Sequence, residues 1–215
     1  MPAPQASVIE NLAQGFLLAE GLDGEDRPAL AAMIGSTVGQ ALTLFAAQAM
    51  VLPGIPVAAD PITGSGATGG PGRLMPPPAG GPDASQLEGF AESQCQAQGL
   101  RGEDAPALAK VVAGLSAQAI NLFCAQSMVL PGIPVAGFVS SGPGMLQPVP
   151  LKSSLDGIAS GLLQQNSLQG EDAPGLGKAL AQVLDQALMM FASQMMVSPG
   201  IPCPPGASAG PGRLM

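Results

Sequence analysis

Apolar residues recur at helical spacing in three blocks, and a stretch rich in glycine and proline follows each block. Each block opens with a short run. Ile9, Leu12, Phe16 and Leu17 share one helical face. Leu87 and Phe90, then Leu155, Ile158, Leu162 and Leu163, hold the corresponding places. A longer run comes next, with Ile34, Val38, Ala41 and Phe45 forming a stripe. Val112, Ser116, Ala119 and Phe123 repeat it, as do Leu180, Leu184, Ala187 and Phe191. A long helix with one such stripe belongs in a bundle.

The blocks are copies of one unit. "GEDRPALA" at Gly24, "GEDAPALA" at Gly102 and "GEDAPGLG" at Gly170 set the alignment. They divide the chain into repeats at 1–84, 85–152 and 153–215. Ser7, Ser85 and Ser153, each three residues before an acid, are expected to cap the short helices. Gly21 and Gly99 are expected to end two of them in the left-handed region, with Asn166-Ser167 in that place in the third. Asp26, Asp104 and Asp172 are expected to cap the long helices, with Pro28, Pro106 and Pro174 in the first turn. These helices are expected to run to Val51, Val129 and Val197.

"MVLPGIPV" at Met50 and at Met128, and "MVSPGIPC" at Met196, then stop them. A residue before proline is driven out of the helical region. Pro53-Gly54, Pro131-Gly132 and Pro199-Gly200 suit the centre of a type II turn, and Ile-Pro launches an extended, polyproline-like arm. The arms end alike, in "GPGRLM" at Gly70, "GPGMLQ" at Gly142 and "GPGRLM" at Gly210. Leucines kept in register at 74, 146 and 214 imply docking, since one buried leucine contributes about 1.5–3 kcal/mol. The expected fold is all-α: three tandem helical hairpins with ordered Gly/Pro-rich arms, arranged around a pseudo-threefold axis in preference to a linear stack.

Composition narrows the chemistry. Of 215 residues, 47% are hydrophobic but only 3% aromatic, so small side chains carry the core. The net charge of −8, with 7 Lys and Arg in all, argues against a nucleic-acid partner. The same balance disfavours anionic membrane surfaces. Cys95, Cys124 and Cys203 stand where other repeats carry Leu17, Ala46 and Val57, which reads as three small buried hydrophobes. "MPAPQASVIENLAQ" lacks the pattern of a secretory signal, which implies a cytoplasmic origin.

The candidate sites reduce to surfaces. Gln40 and Gln48, Gln118 and Gln126, and Gln186 and Gln194 are equivalent pairs, each pair on one helical face. They are candidates for hydrogen bonds where units or subunits meet, beside the simpler reading of a solvated face. Leu74, Leu146 and Leu214, with Arg73 and Arg213, are the candidate contacts of the arms. The acids of the GED turns read as helix caps, not an acid–base pair. "GSGATG" at Gly64 neither follows a strand nor opens a helix, so it is not a dinucleotide fingerprint. No catalytic, cofactor or metal constellation emerges, and the chain is expected not to be an enzyme.

A triplicated subunit can match a threefold or sixfold ring of other protein subunits. The expected role is structural: a component of a large symmetric particle, of virion or phage-tail-like (contractile injection) type. A plug, adaptor, baseplate or spike-associated protein would fit. The alternative is a membrane-anchored or membrane-active helical protein. It rests on the uncharged stretch 28–59 and its Gly35-x-x-x-Gly39. Against it stand the recurring glutamines, Lys110, Lys178 and Asp185.

Overall fold

The structure, a computed structural model, describes residues 3–76 and 81–215. In the first repeat, helices α1 (Ala6–Ala19) and α2 (Arg27–Gln48) precede strands β1 (Met50–Val51), β2 (Pro56–Ala59), β3 (Gly66–Thr68) and β4 (Gly72–Arg73). The second has α3 (Ala84–Ala97), α4 (Ala105–Gln126), β5 (Met128–Val129), β6 (Pro134–Ala136), β7 (Val139–Ser140) and β8 (Gly144–Met145). The third has α5 (Lys152–Gln165), α6 (Ala173–Gln194), β9 (Met196–Val197), β10 (Gly206–Ala207) and β11 (Gly212–Arg213).

The fold is not all-α. The long helices stop at Gln48, Gln126 and Gln194, short of the expected Val51, Val129 and Val197. Their C-caps Ala49, Ser127 and Met195 are already extended, with ψ of 130°, 149° and 141°. The Met-Val pair that follows becomes a strand because the arms supply partners for its backbone groups. The arms are strands too, not polyproline segments free of main-chain partners.

The strands close on themselves. β1 pairs antiparallel with β11, β4 with β5, and β8 with β9. Bridges Val51–Leu74, Val129–Leu146 and Val197–Leu214 join these pairs. The ring order is therefore β1, β4, β5, β8, β9, β11 and back to β1. Its inward positions alternate valine and leucine, and all six side chains of these bridges are buried. Phe45, Phe123 and Phe191 pack against one another at the ends of the long helices, with centroids 5.1 to 6.1 Å apart. A second sheet, in the order β10-β2-β3-β6-β7, curls into an antiparallel half-barrel, and the bridge Val139–Pro202 carries its β7 edge on to the third repeat.

The helices follow the same cyclic order. Each short helix packs on its own long helix and on the long helix of another repeat: α3 on α2, α5 on α4, and α1 on α6. The long helices touch one another as well, and one hydrophobic core runs through 1–84, 85–152 and 153–215. At the opposite pole from the strands, Asp104 and Asp172 of two GED turns line a concavity of about 370 Å³ with Leu22 and Leu30 of the first repeat.

The caps differ from expectation. The short helices begin one residue before Ser7, Ser85 and Ser153, so none of these serines stands at the N-cap. Asp83 caps α3, accepting from the Ser85 amide at 3.4 Å and the Ser85 hydroxyl at 2.9 Å. The amides of Leu151 and Lys152 donate instead to Oδ1 of buried Asp185 on α6, at 2.6 and 3.1 Å. Asp26, Asp104 and Asp172 do stand at N-caps, but their helical φ and ψ carry the side chains away and none makes a cap bond. At the other ends Gly21, Gly99 and Ser167 have φ of 81°, 79° and 60°. The Leu22 amide reaches the Leu17 carbonyl at 2.9 Å and the Gly21 amide that of Leu18 at 3.1 Å, the two bonds of a Schellman motif.

Gly35 and Gly39 let α1 lie close on α2. A Cβ on Gly35 would stand 2.7 Å from the Glu10 backbone nitrogen, and one on Gly39 would stand 3.1 Å from the Ala6 Cα. In the third repeat the Gly39 position holds Asp185, and the close approach is replaced by the cap on Leu151 and Lys152. Gly35→Ala is expected to force the helices apart and cost about 1–3 kcal/mol in denaturant titration. Gly24→Ala, with no atom within 4 Å of its added methyl, serves as the near-neutral control.

Candidate functional site

The junction between repeats is where the shared phrases meet. Gly54, Gly132 and Gly200 have φ of 96°, 96° and 97°, the left-handed conformation that the Pro-Gly turn requires. Pro53, Pro131 and Pro199 beside them are exposed. The isoleucine of each turn is buried, and it lies against the second glycine of its own "GPG". A Cβ at Gly72 would meet Ile55 Cδ1 at 2.8 Å, and at Gly144 and Gly212 the isoleucine Cδ1 would be 2.6 Å away. The first glycine faces the next proline: Gly70 lies over Pro56, Gly142 over Pro134 and Gly210 over Pro202. The two phrases are therefore halves of one packing contact.

A hydroxyl from another repeat locks each turn. Ser208 Oγ accepts from the Gly54 and Ile55 amides, both at 3.0 Å. Thr68 Oγ1 accepts from the Gly132 and Ile133 amides, both at 3.0 Å. Ser140 Oγ accepts from the Ile201 amide at 2.9 Å, while the Gly200 amide donates to the Ser140 carbonyl at 2.8 Å. The third repeat thus closes the first, the first closes the second, and the second closes the third. Sequence reasoning missed Thr68, Ser140 and Ser208. Their signal was positional: each is a small hydroxyl residue two places before "GPG".

The predicted contact residues separate into two groups. Leu74, Leu146 and Leu214 are buried at 2%, 2% and 9% exposure inside the ring of their own chain. They are not free to reach another molecule, so deleting 210–215 removes part of the fold as well as any contact. Arg73 and Arg213, their neighbours, point outward and are exposed. Gln48, Gln118, Gln126, Gln186 and Gln194 are exposed, and among the described residues none of them bonds across helices. Gln40 is half-buried and lines an open groove of about 720 Å³ with Leu214 and Met215.

The remaining chemistry is quiet. Among the described residues no group of His, Cys, Asp and Glu is placed to hold a metal ion. Gly66, in "GSGATG", opens strand β3, and a Cβ there would meet the Ala58 carbonyl, so this glycine serves sheet packing. Cys95, Cys124 and Cys203 are free and buried. Burial pushes all three thiols up, Cys124 to about 12. Comparison with protein-family models, curated proteins and solved structures finds no match to this chain.

Ser208→Ala should cost about 1–3 kcal/mol, because the buried Ile55 amide loses its acceptor. Thr68→Ser, which keeps the acceptor, should cost less than Thr68→Ala in the same urea titration. The thiol chemistry gives a second outcome. A thiol whose pKa is raised by folding contributes stability below its unfolded value, and this is lost as pH rises through the folded value. For Cys124 that loss falls between the unfolded value of 9.0 and about 12. At pH 8 iodoacetamide should leave Cys124 unmodified in the native protein and modify it in urea, read by mass spectrometry.

Proposed function

We propose that this chain is a non-enzymatic structural protein of cytoplasmic origin that is built into a large symmetric particle. A virion or a phage-tail-like injection machine is the best fit, with the chain as plug, adaptor, baseplate or spike-associated part. The observation that carries the reading is the cyclic closure: each strand pair of the ring, each hydroxyl lock and each short-helix contact between repeats is made three times around one axis, within a single chain. Such a body presents three similar faces, and one or two copies match a threefold or sixfold ring of partner subunits. The assignment to a virion or tail is an analogy of form.

The membrane alternative draws on α2 and α4, which are long and apolar enough to cross a bilayer, with a mean hydropathy of 1.5. Yet 56% and 61% of those windows are buried inside the chain. The positions they expose, such as Thr43, Gln48, Lys110, Gln118 and Asn121, are mostly polar. Burial of the apolar face favours helices that fill a protein core.

Native mass measurement of the protein purified from its source, with whatever travels with it, tests the proposal. Co-purification in fixed ratio with a threefold or sixfold assembly is expected. A lone monomer in every fraction, or retention in membranes after carbonate extraction, would refute it.

A further inference from the structure

The outer face of the closed strand ring carries methionine and leucine at most positions, with Arg73, Arg213, Gln147 and Ser198 between them, where a solvated face would be mainly polar. An antiparallel sheet with one wet face alternates hydrophobic-in with polar-out, whereas strands covered on both faces read as continuous apolar runs. Here "MVL" at Met50 and at Met128 is continuous. Valine points inward and is buried, so the residues on either side of it face out. Met128, Leu130, Met145 and Met215 are 37%, 39%, 59% and 41% exposed. Met50, Met75 and Met196 are half-buried around the same circuit.

Three of the four exposed members are contiguous. Met128 is in register with Arg73, and the Leu130 amide donates to the Met145 carbonyl at 2.8 Å. The charge pattern on this belt is one-sided. Arg73 and Arg213 stand on it, exposed and without an ion pair among the described residues. It holds no acid and no lysine, and Asp60, on the β2–β3 hairpin, is the one acid among the described strand-bearing segments. The other acids lie on the helical part of the chain. Methionine and arginine are enriched, and lysine, aspartate and glutamate depleted, at the centres of protein–protein interfaces. Methionine also adapts its shape to what covers it. The ring has no open strand edge, so an occupant must dock through side chains and cannot extend the sheet.

We propose that the methionine belt is the surface by which the chain is held in its particle. Its occupant is one subunit of the partner ring, presenting an apolar segment edged with carboxylates. The carboxylates face Arg73 and Arg213; the apolar groups cover Met128, Leu130 and Met145. This rests on the structural role proposed above.

The test uses the full-length chain in the assembled particle. Arg73→Glu/Arg213→Glu and Met128→Ser/Met145→Ser are the belt variants, and Glu25→Lys/Glu103→Lys at the opposite pole is the control. Thermal melting of each purified chain first establishes that it folds. The belt variants are expected to melt near the wild-type temperature and to fall at least tenfold in copies per particle, while the control incorporates normally. A photo-crosslinking residue at Met145 should then join the chain to an acidic segment of a subunit present in multiples of three. Wild-type incorporation of folded belt variants would overturn the belt assignment and leave the structural role standing. So would crosslinks to lipid or to a second copy of this chain. Absence of the wild-type protein from every particle would remove both readings.

Discussion

Everything in this fold depends on the reciprocal exchange between repeats at the Pro-Gly turn. A turn that reverses the chain out of a helix exposes two consecutive amides, and burying them unpaired is costly. No repeat supplies its own acceptor. Ser208, Thr68 and Ser140 each serve another repeat's turn, and the strands that carry them are held by that repeat's sheet. Closure is therefore a condition of satisfying the backbone, not an optional association of three finished hairpins.

The small residues of the chain serve the same closure. Gly72, Gly144 and Gly212 pass so near an isoleucine that an added Cβ would have to push its Cδ1 aside, and Gly35 brings two helix backbones together. A core built this way needs few aromatic residues, and its largest fully buried side chains are the three phenylalanines that pack on one another. The repeats differ where packing allows. The Gly39 position can become Asp185 only because a pair of helix-start amides lies opposite to receive the carboxylate.

The helices and their stops were legible because their causes are local. Apolar spacing marks Phe45, Phe123 and Phe191 for the core, and Pro-Gly marks the turns. The left-handed residues at Gly21, Gly99 and Ser167 follow from helix ends visible in a few letters. The strands were not legible, since a two-residue strand carries no alternation and its partner lies in another repeat. The caps failed for a related reason. Asp83 lies two residues before Ser85, the cap that the spacing suggested, and Asp185 acts from a different helix. The arm leucines, marked by their register, are buried inside the ring of their own chain. The outward methionines carried the signal for a second surface, and it appears only once valine is known to face inward.

The ring also imposes an order on the birth of the protein. Met50 pairs with Arg213, and the first turn is locked by Ser208, 154 residues after Gly54, so the first repeat is completed by an arm far along the chain. Contacts so distant along the chain carry a large loop-closure cost and form late. Until the arm of the third repeat emerges from the ribosome, the first Pro-Gly turn waits without its Ser208 acceptor and the belt has a gap. A partner that reads the complete belt would therefore accept only molecules whose ring has closed, and the pairing of β11 with β1 would act as a proofreading step.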